Sequence, residues 1–295
     1  MDKDVLFYKE SGRLNALRLL FAYAIGIATV FFISYGYSVL LIFIPLVYLN
    51  FIIVTVYAIV LGYFIKLLIR FAQIRNQRSR YVFAVIVGLA AYYFQWTSYI
   101  LYALSGEVPS FTEYFENSSW IISSTDFIYI IAEINKYGLW EVFGIPFRDY
   151  ALTFVWIIEA FIILSGALLP VIKHHINPFS EEFNRWYPKY VLRTDFESIA
   201  TVYKLKESLI EDPLYTLQNL KYGDGARYTK VYIFFLKNEE KQYISFERFF
   251  VENRGRGKTK SKLVINNFLI NATTAKLILE QFENKRDWFL LRFEY

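Results

Sequence analysis

Residues 150–172 read YALTFVWIIEAFIILSGALLPVI, an apolar run whose single charged side chain, Glu159, sits near its middle. As a helix, about 20 apolar residues cross a hydrocarbon layer of roughly 30 Å. The run therefore reads as a membrane span. Working back toward the N-terminus, three earlier blocks pass the same test, at about Leu14–Ser34, Ser38–Tyr63 and Tyr81–Leu104. A chain that is 56% hydrophobic, with its apolar residues gathered into such blocks, has the composition of a membrane protein. The expected fold class is an α-helical four-helix transmembrane bundle over residues 1–172, followed by a small α+β cytoplasmic domain with an antiparallel sheet over residues 173–295.

Basic residues resist translocation, so their distribution over the short connections sets the orientation. Lys3, Lys9, Arg13 and Arg18 flank the first block, and Lys66, Arg70, Arg75, Arg78 and Arg80 lie between the second and third with no acid among them. Residues 106–149, by contrast, carry five Glu and two Asp against Lys136 and Arg148 alone. The N-terminus and the 64–80 connection are expected inside, the 105–149 loop outside, and the C-terminal domain inside. Asp2, Asp4 and Glu10 precede the first block and no small-x-small cleavage site follows it, so it reads as a retained helix rather than a signal peptide. The bias toward Phe, Tyr, Ile, Asn and Lys points to an AT-rich bacterial genome, and hence to a multi-pass protein of the inner membrane.

Tyr35-Gly36-Tyr37 reads as a tight link that folds the first two spans into a hairpin. Small residues four apart let helices approach closely, as at Ala22 with Gly26, Ala24 with Ala28, and Ala84 with Gly88. They serve packing within one copy and are compatible with a homo-oligomer. Ile121–Gly144 alternates Phe127, Ile128, Ile131, Ile134 and Trp140 with Glu133, Lys136 and Glu141, which predicts one short amphipathic helix on the outer surface.

An ionisable side chain at the centre of a span costs about 2.5 kcal/mol or more unless it is neutralised or paired. Glu159 is thus a candidate proton or cation site, or part of a carboxylate ring if copies assemble around the fourth span. The plainer reading is a protonated Glu159 hydrogen-bonded to Asn50 of the second span or Gln95 of the third.

Residues 173–295 hold 21 basic and 16 acidic side chains and residues 1–172 hold 11 of each, so the whole excess of +5 lies in the C-terminal domain. Trp186 and Tyr187 follow the last span and are expected to anchor it at the interface. Helical patterns run over Asp195–Leu205, Pro213–Leu220 and, capped by Asn271, Ala272–Phe282. Strand patterns run over Tyr228–Leu236, Tyr243–Val251, Leu263–Ile270 and Trp288–Phe293, with turns at Tyr222–Gly225 and Asn238–Lys241.

The loop from Asn253 to Lys262 places Arg254, Arg256, Lys258, Lys260 and Lys262 at alternate positions, spaced by glycines at first. Cations beside pliable backbone suit a phosphate-bearing partner: acidic lipid headgroups, a nucleotide or an oligonucleotide. A solvated, aggregation-resistant hairpin loop is the plainer reading. Gly257-Lys258-Thr259 echoes the end of a P-loop, but Glu252 stands where its first glycine is required, so an NTPase is rejected. The chain has no cysteine, which excludes disulfides and thiol catalysis, and adjacent His174 and His175 are poorly placed for one metal. No catalytic triad or HExxH motif can be assembled, and neither enzymatic activity nor a cofactor is expected. The function expected is an oligomeric channel or membrane effector gated by a phosphate-rich ligand, the alternative being a non-catalytic assembly subunit of a membrane complex.

Overall fold

The computed structural model describes residues 6–44, 46–123, 127–138, 141–142, 145–172, 177–199, 201–223, 225–252 and 258–286. The chain forms two compact units, one of Gly12–His174 and one that joins Met1–Ser11 to His175–Tyr295. The expected boundary after residue 172 therefore leaves out one element: the N-terminal residues belong to the C-terminal unit.

In the first unit, the long helices are α1 (Ala16–Phe43), α2 (Val47–Phe71), α3 (Gln77–Ser105) and α6 (Asp149–Ile172), each long and apolar enough to span a membrane. Between α3 and α6 lie α4 (Phe111–Ser123), α5 (Phe127–Tyr137) and a small ribbon of β1 (Glu141–Val142) with β2 (Ile145–Pro146). Within the stretch 121–144, where one short amphipathic helix was expected, α5 forms over Phe127–Tyr137, between the end of α4 and β1, while Trp140 lies outside the described residues. Ser110-Phe111-Thr112-Glu113 starts α4 with a capping box, in which the Ser110 amide donates to Glu113 and the Glu113 amide donates to Ser110 Oγ.

The turn expected at Tyr35–Tyr37 is a correction. Helix α1 runs straight through it and ends at Phe43, and the next residue, Ile44, has a φ of −118° and a ψ of 78° that are not helical. The breaker is Pro45, which the sequence reading had placed inside the second span. Proline lacks an amide hydrogen and pushes the residue before it out of the helical region. Gly36, with nothing within 4 Å of the position a Cβ would take, has no need to turn.

The helices pack in the cyclic order α1-α2-α6-α3. Their shared core includes Leu61, Ile65, Phe83, Val87, Ala91, Ile163 and Ala167, all fully buried. Outward they present large apolar side chains, with Leu20, Phe32, Ile59 and Phe161 each more than half exposed. Of the small residues, Ala22, Gly26, Ala84 and Gly88 are buried inside the bundle, and Ala24 and Ala28 face out. The closest approach joins α2 to α6: a Cβ on Gly62 would lie 2.4 Å from the Gly166 carbonyl oxygen, and one on Gly166 would lie 2.5 Å from that of Ala58. Four residues after Gly166 comes Pro170, which has no N–H to offer that carbonyl.

The second unit contains β3 (Phe179–Ser180), β4 (Arg185–Trp186), β5 (Lys189–Leu192), β6 (Phe196–Glu197), α7 (Val202–Glu211), α8 (Pro213–Gln218), β7 (Arg227–Phe234), β8 (Lys241–Glu252), β9 (Lys258–Asn271), α9 (Ala272–Gln281) and β10 (Asn284–Arg286). The main sheet is antiparallel in the order β10-β5-β7-β8-β9, with β6 beside the first half of β7. Side chains alternate across a strand. Val231, Ile233, Ile244 and Phe246 accordingly meet Leu205, Leu209, Leu217 and Ile278 of the helices, while Tyr232, Phe234 and Tyr243 form a second cluster with Tyr187. The helix expected from Asp195 begins only at Val202, because Phe196 and Glu197 pair with Thr229 and Tyr228. Residues 288–293 and His174–His175 lie outside the described residues.

Trp186 and Tyr187, expected at a membrane surface, are buried within this unit instead. Trp186 packs edge-on to Phe179, and the Tyr187 hydroxyl donates to the Lys241 carbonyl at 2.8 Å. The free edge of β9 is covered from an unexpected source. Phe7 forms a bridge with Phe268, and the Tyr8 amide donates to the Asn267 carbonyl at 3.0 Å. Tyr8, Tyr187 and Tyr243 then stack edge to face.

Two predictions follow from this packing. Replacing Gly166 with leucine drives side-chain atoms into the Ala58 backbone and is expected to destabilise the bundle by about 1–3 kcal/mol, whereas Gly36→Leu is near neutral; thermal unfolding in detergent distinguishes them. Burial pushes the Tyr8 hydroxyl up to about 12 and raises Tyr187 and Tyr243 as well. A pKa higher in the folded state gives stability that is intact below the ordinary tyrosine value of 10.0 and lost as pH rises through about 12. Melting scans across that window should show the loss, with a shallower slope in Tyr8→Phe.

Candidate functional site

Buried residues of α1 follow a helical spacing: Ala22, Gly26, Val30, Ser34, Tyr37, Ser38 and Leu41. The stripe begins apolar and turns polar near its end. Ser34 Oγ lies 2.7 Å from the Tyr57 hydroxyl and 3.1 Å from the Ala91 carbonyl, to which it donates. Ser38 Oγ donates to the carbonyls of Ser34 at 2.8 Å and Gln95 at 3.1 Å. These bonds tie α1 to α2 and α3 where apolar packing alone would leave the contact unspecific.

One turn on, the Tyr37 ring stacks on Tyr57 with centroids 4.3 Å apart and planes 14° from parallel. Its hydroxyl donates to Glu159 Oε1 at 2.5 Å. Adjacent packed helices lie about 8–10 Å apart, and α1 and α6 are diagonal partners, so only a long side chain can bridge them. Gln95 of α3 lies near enough to the Glu159 carboxyl to interact with it. Glu159 is ten residues into α6, about 15 Å along the helix at 1.5 Å per residue.

Beside the carboxyl lies a cavity of about 30 Å³ lined by Tyr37, Asn50, Val54, Tyr99, Trp156 and Glu159 among others. That volume suits one water-sized guest. Asn50 Oδ1 and Gln95 Oε1 are buried with no hydrogen-bond partner among the described residues. All four long helices therefore contribute a polar group: Tyr37 from α1, Asn50 from α2, Gln95 from α3 and Glu159 from α6. The three residues nominated from sequence converge here. Tyr37 was missed because the misplaced turn removed it from α1; the spacing Ser34, Tyr37, Ser38, Leu41 marks it once the helix is carried to Pro45.

The basic segment has a different form from the expected loop. Arg254 and Arg256 lie outside the described residues, but Lys258, Lys260 and Lys262 are strand positions of β9, opposite Glu252, Phe250 and Arg248 of β8. Their alternation comes from backbone pairing, which puts Lys260 and Lys262 on one face of a long ribbon. Strand propensity was legible in Thr259 and Val264 but was outweighed by the run of charge. Arg248 lies over the Phe250 ring at 4.8 Å and donates to the Ile199 carbonyl at 2.9 Å, while Tyr228 and Phe249 stack 5.1 Å apart on the opposite face.

Among the described residues no three His, Asp or Glu side chains gather into a metal site. No family model, curated protein or solved structure matches the chain, and its chemistry rests on the geometry of its own residues.

The bond across the bundle makes a direct test. In a double-mutant cycle of Tyr37→Phe and Glu159→Ala, unfolding free energies in detergent are expected to show a coupling of about 1–2 kcal/mol. Strict additivity would mean that the Tyr37 to Glu159 bond contributes nothing.

Proposed function

We propose that the chain is a multi-pass inner-membrane effector, acting as an oligomeric channel whose C-terminal domain receives a nucleotide or oligonucleotide in the cytoplasm. The observation that carries this reading is the β8–β9 ribbon, paired as far as Glu252 with Lys258 and bearing lysines at three alternate positions of one strand. Arg254 and Arg256 add two cations in the connection. Anionic phosphates suit such a row.

Membrane insertion is supported by the exposed apolar side chains of α1, α2, α3 and α6, which far exceed the scattered exposure ordinary in water. Residues 6–8 belong to the same unit as the C-terminal domain, and four spans return a chain to the side from which it started. This favours both termini on one side, and the basic 66–80 connection makes that side the cytoplasm.

In this reading conduction belongs to an assembly of copies rather than to the small cavity beside Glu159. Glu159, bonded inward to Tyr37, is a poor candidate for a ring of carboxylates between copies. The outward face with Ala24 and Ala28 permits a close neighbour.

The test is conductance of the purified protein in a planar bilayer, with cyclic nucleotides or short oligonucleotides added on the cytoplasmic side. Current is expected only with ligand, to weaken as salt rises, and to vanish when Arg254, Arg256, Lys258, Lys260 and Lys262 are all changed to serine. A silent, correctly inserted protein that co-purifies with other membrane subunits overturns the channel in favour of an assembly role.

A further inference from the structure

Among the described residues, no basic side chain of the bundle pairs with the Glu159 carboxyl, whose hydrogen-bond donor is Tyr37. Lys66 of α2 is sixteen residues beyond Asn50, and Arg80 of α3 fifteen residues before Gln95, each more than about 20 Å along its helix. The titratable groups around the carboxyl are tyrosines: Tyr37 from α1, Tyr57 from α2, and Tyr92 and Tyr99 from α3. From α5, the side chains packed near Trp156 are apolar, and Glu133 and Lys136 approach each other at 4.0 Å on its solvent side. A carboxylate in such surroundings requires either a proton or a bound cation.

The cavity beside it supplies what a small hard cation seeks. Such ions take oxygen ligands. Glu159 brings a carboxyl, Asn50 a buried carbonyl oxygen with no partner, and Tyr37 a hydroxyl oxygen already at the carboxyl. Gln95 stands beside the carboxyl from α3, outside the cavity lining. The space, about 30 Å³, is of the size of one dehydrated ion or one water.

We propose that this cavity is a Na⁺ site formed by Glu159, Asn50 and Tyr37, at which the ion and a proton on the Glu159 carboxyl compete. Binding releases the carboxyl proton to solvent as the ion enters, so charge in the cavity is conserved. Because four helices meet there, an occupied site holds the bundle together more firmly than an empty one with a charged carboxyl. The proposal goes beyond the reading of the basic ribbon and uses none of its residues, so either can fail without the other.

The test is thermal unfolding of the full chain in detergent, titrating NaCl against choline chloride at constant ionic strength over a series of pH values. Na⁺ is expected to raise the unfolding temperature, and on the acid side its apparent dissociation constant should rise tenfold for each unit fall in pH, as one-for-one exchange requires. Glu159→Gln should abolish the Na⁺ effect. Asn50→Leu, which keeps the Tyr37 to Glu159 bond, should weaken Na⁺ at least tenfold and provides the readout if the first variant does not fold. Identical melting in Na⁺ and choline at every pH overturns the site in favour of a proton or water alone. A Na⁺ effect that survives in both variants overturns it as a general salt effect.

Discussion

Helix α6 meets α2 backbone to backbone, and the register of the bundle depends on that contact. Gly62 and Gly166 have no Cβ, so the helices close to a distance that any side chain would forbid. The row is continuous: Val54, Ala58 and Gly62 descend one face of α2 at intervals of four, while Glu159 and Gly166 are separated by two turns on α6. Close contact at one end of the row thereby sets the spacing at the other, where the same two helices part around the cavity beside Glu159. Pro170 contributes by leaving the Gly166 carbonyl without a helical donor at the point where Gly62 covers it.

Against that tight seam, the diagonal partners α1 and α6 are bridged by one long side chain. Tyr37 fills the centre with its ring and reaches a carboxyl with its hydroxyl, so one residue combines packing with polar satisfaction. Ser34 and Ser38 precede it on the same face and are small enough to let α1 approach α3, satisfying their hydroxyls on carbonyls. An apolar bundle can slide among similar packings. Hydrogen bonds of fixed direction select one of them.

The C-terminal unit solves a different problem. Its sheet has an exposed edge at β9 and two apolar faces, and the chain covers them with segments distant in sequence. Residues 6–8 pair at the edge, 179–187 close one face, and the three helices close the other. Two residues that resemble membrane anchors by type, Trp186 and Tyr187, are consumed by this internal demand. The β8–β9 ribbon carries lysines at alternate positions of one strand, and such charges resist edge pairing.

Much was determined by sequence alone. Four apolar blocks of sufficient length, their flanking charges, the isolated Glu159 and the alternating strands of 228–270 are properties of composition and period, and each reflects a local energy that needs no distant partner. The break at Pro45 was equally local, although Gly36 between two tyrosines read as the stronger turn signal. Tertiary structure alone decided which polar groups meet. Nothing in the spacing of Tyr37, Asn50, Gln95 and Glu159 brings them together, because their proximity is set by helix packing across as many as 122 residues of chain. The same holds for Tyr8 beside Tyr243 and for the burial of Trp186. Periodicity reports the face a residue occupies, and only the packing of distant segments determines what that face meets.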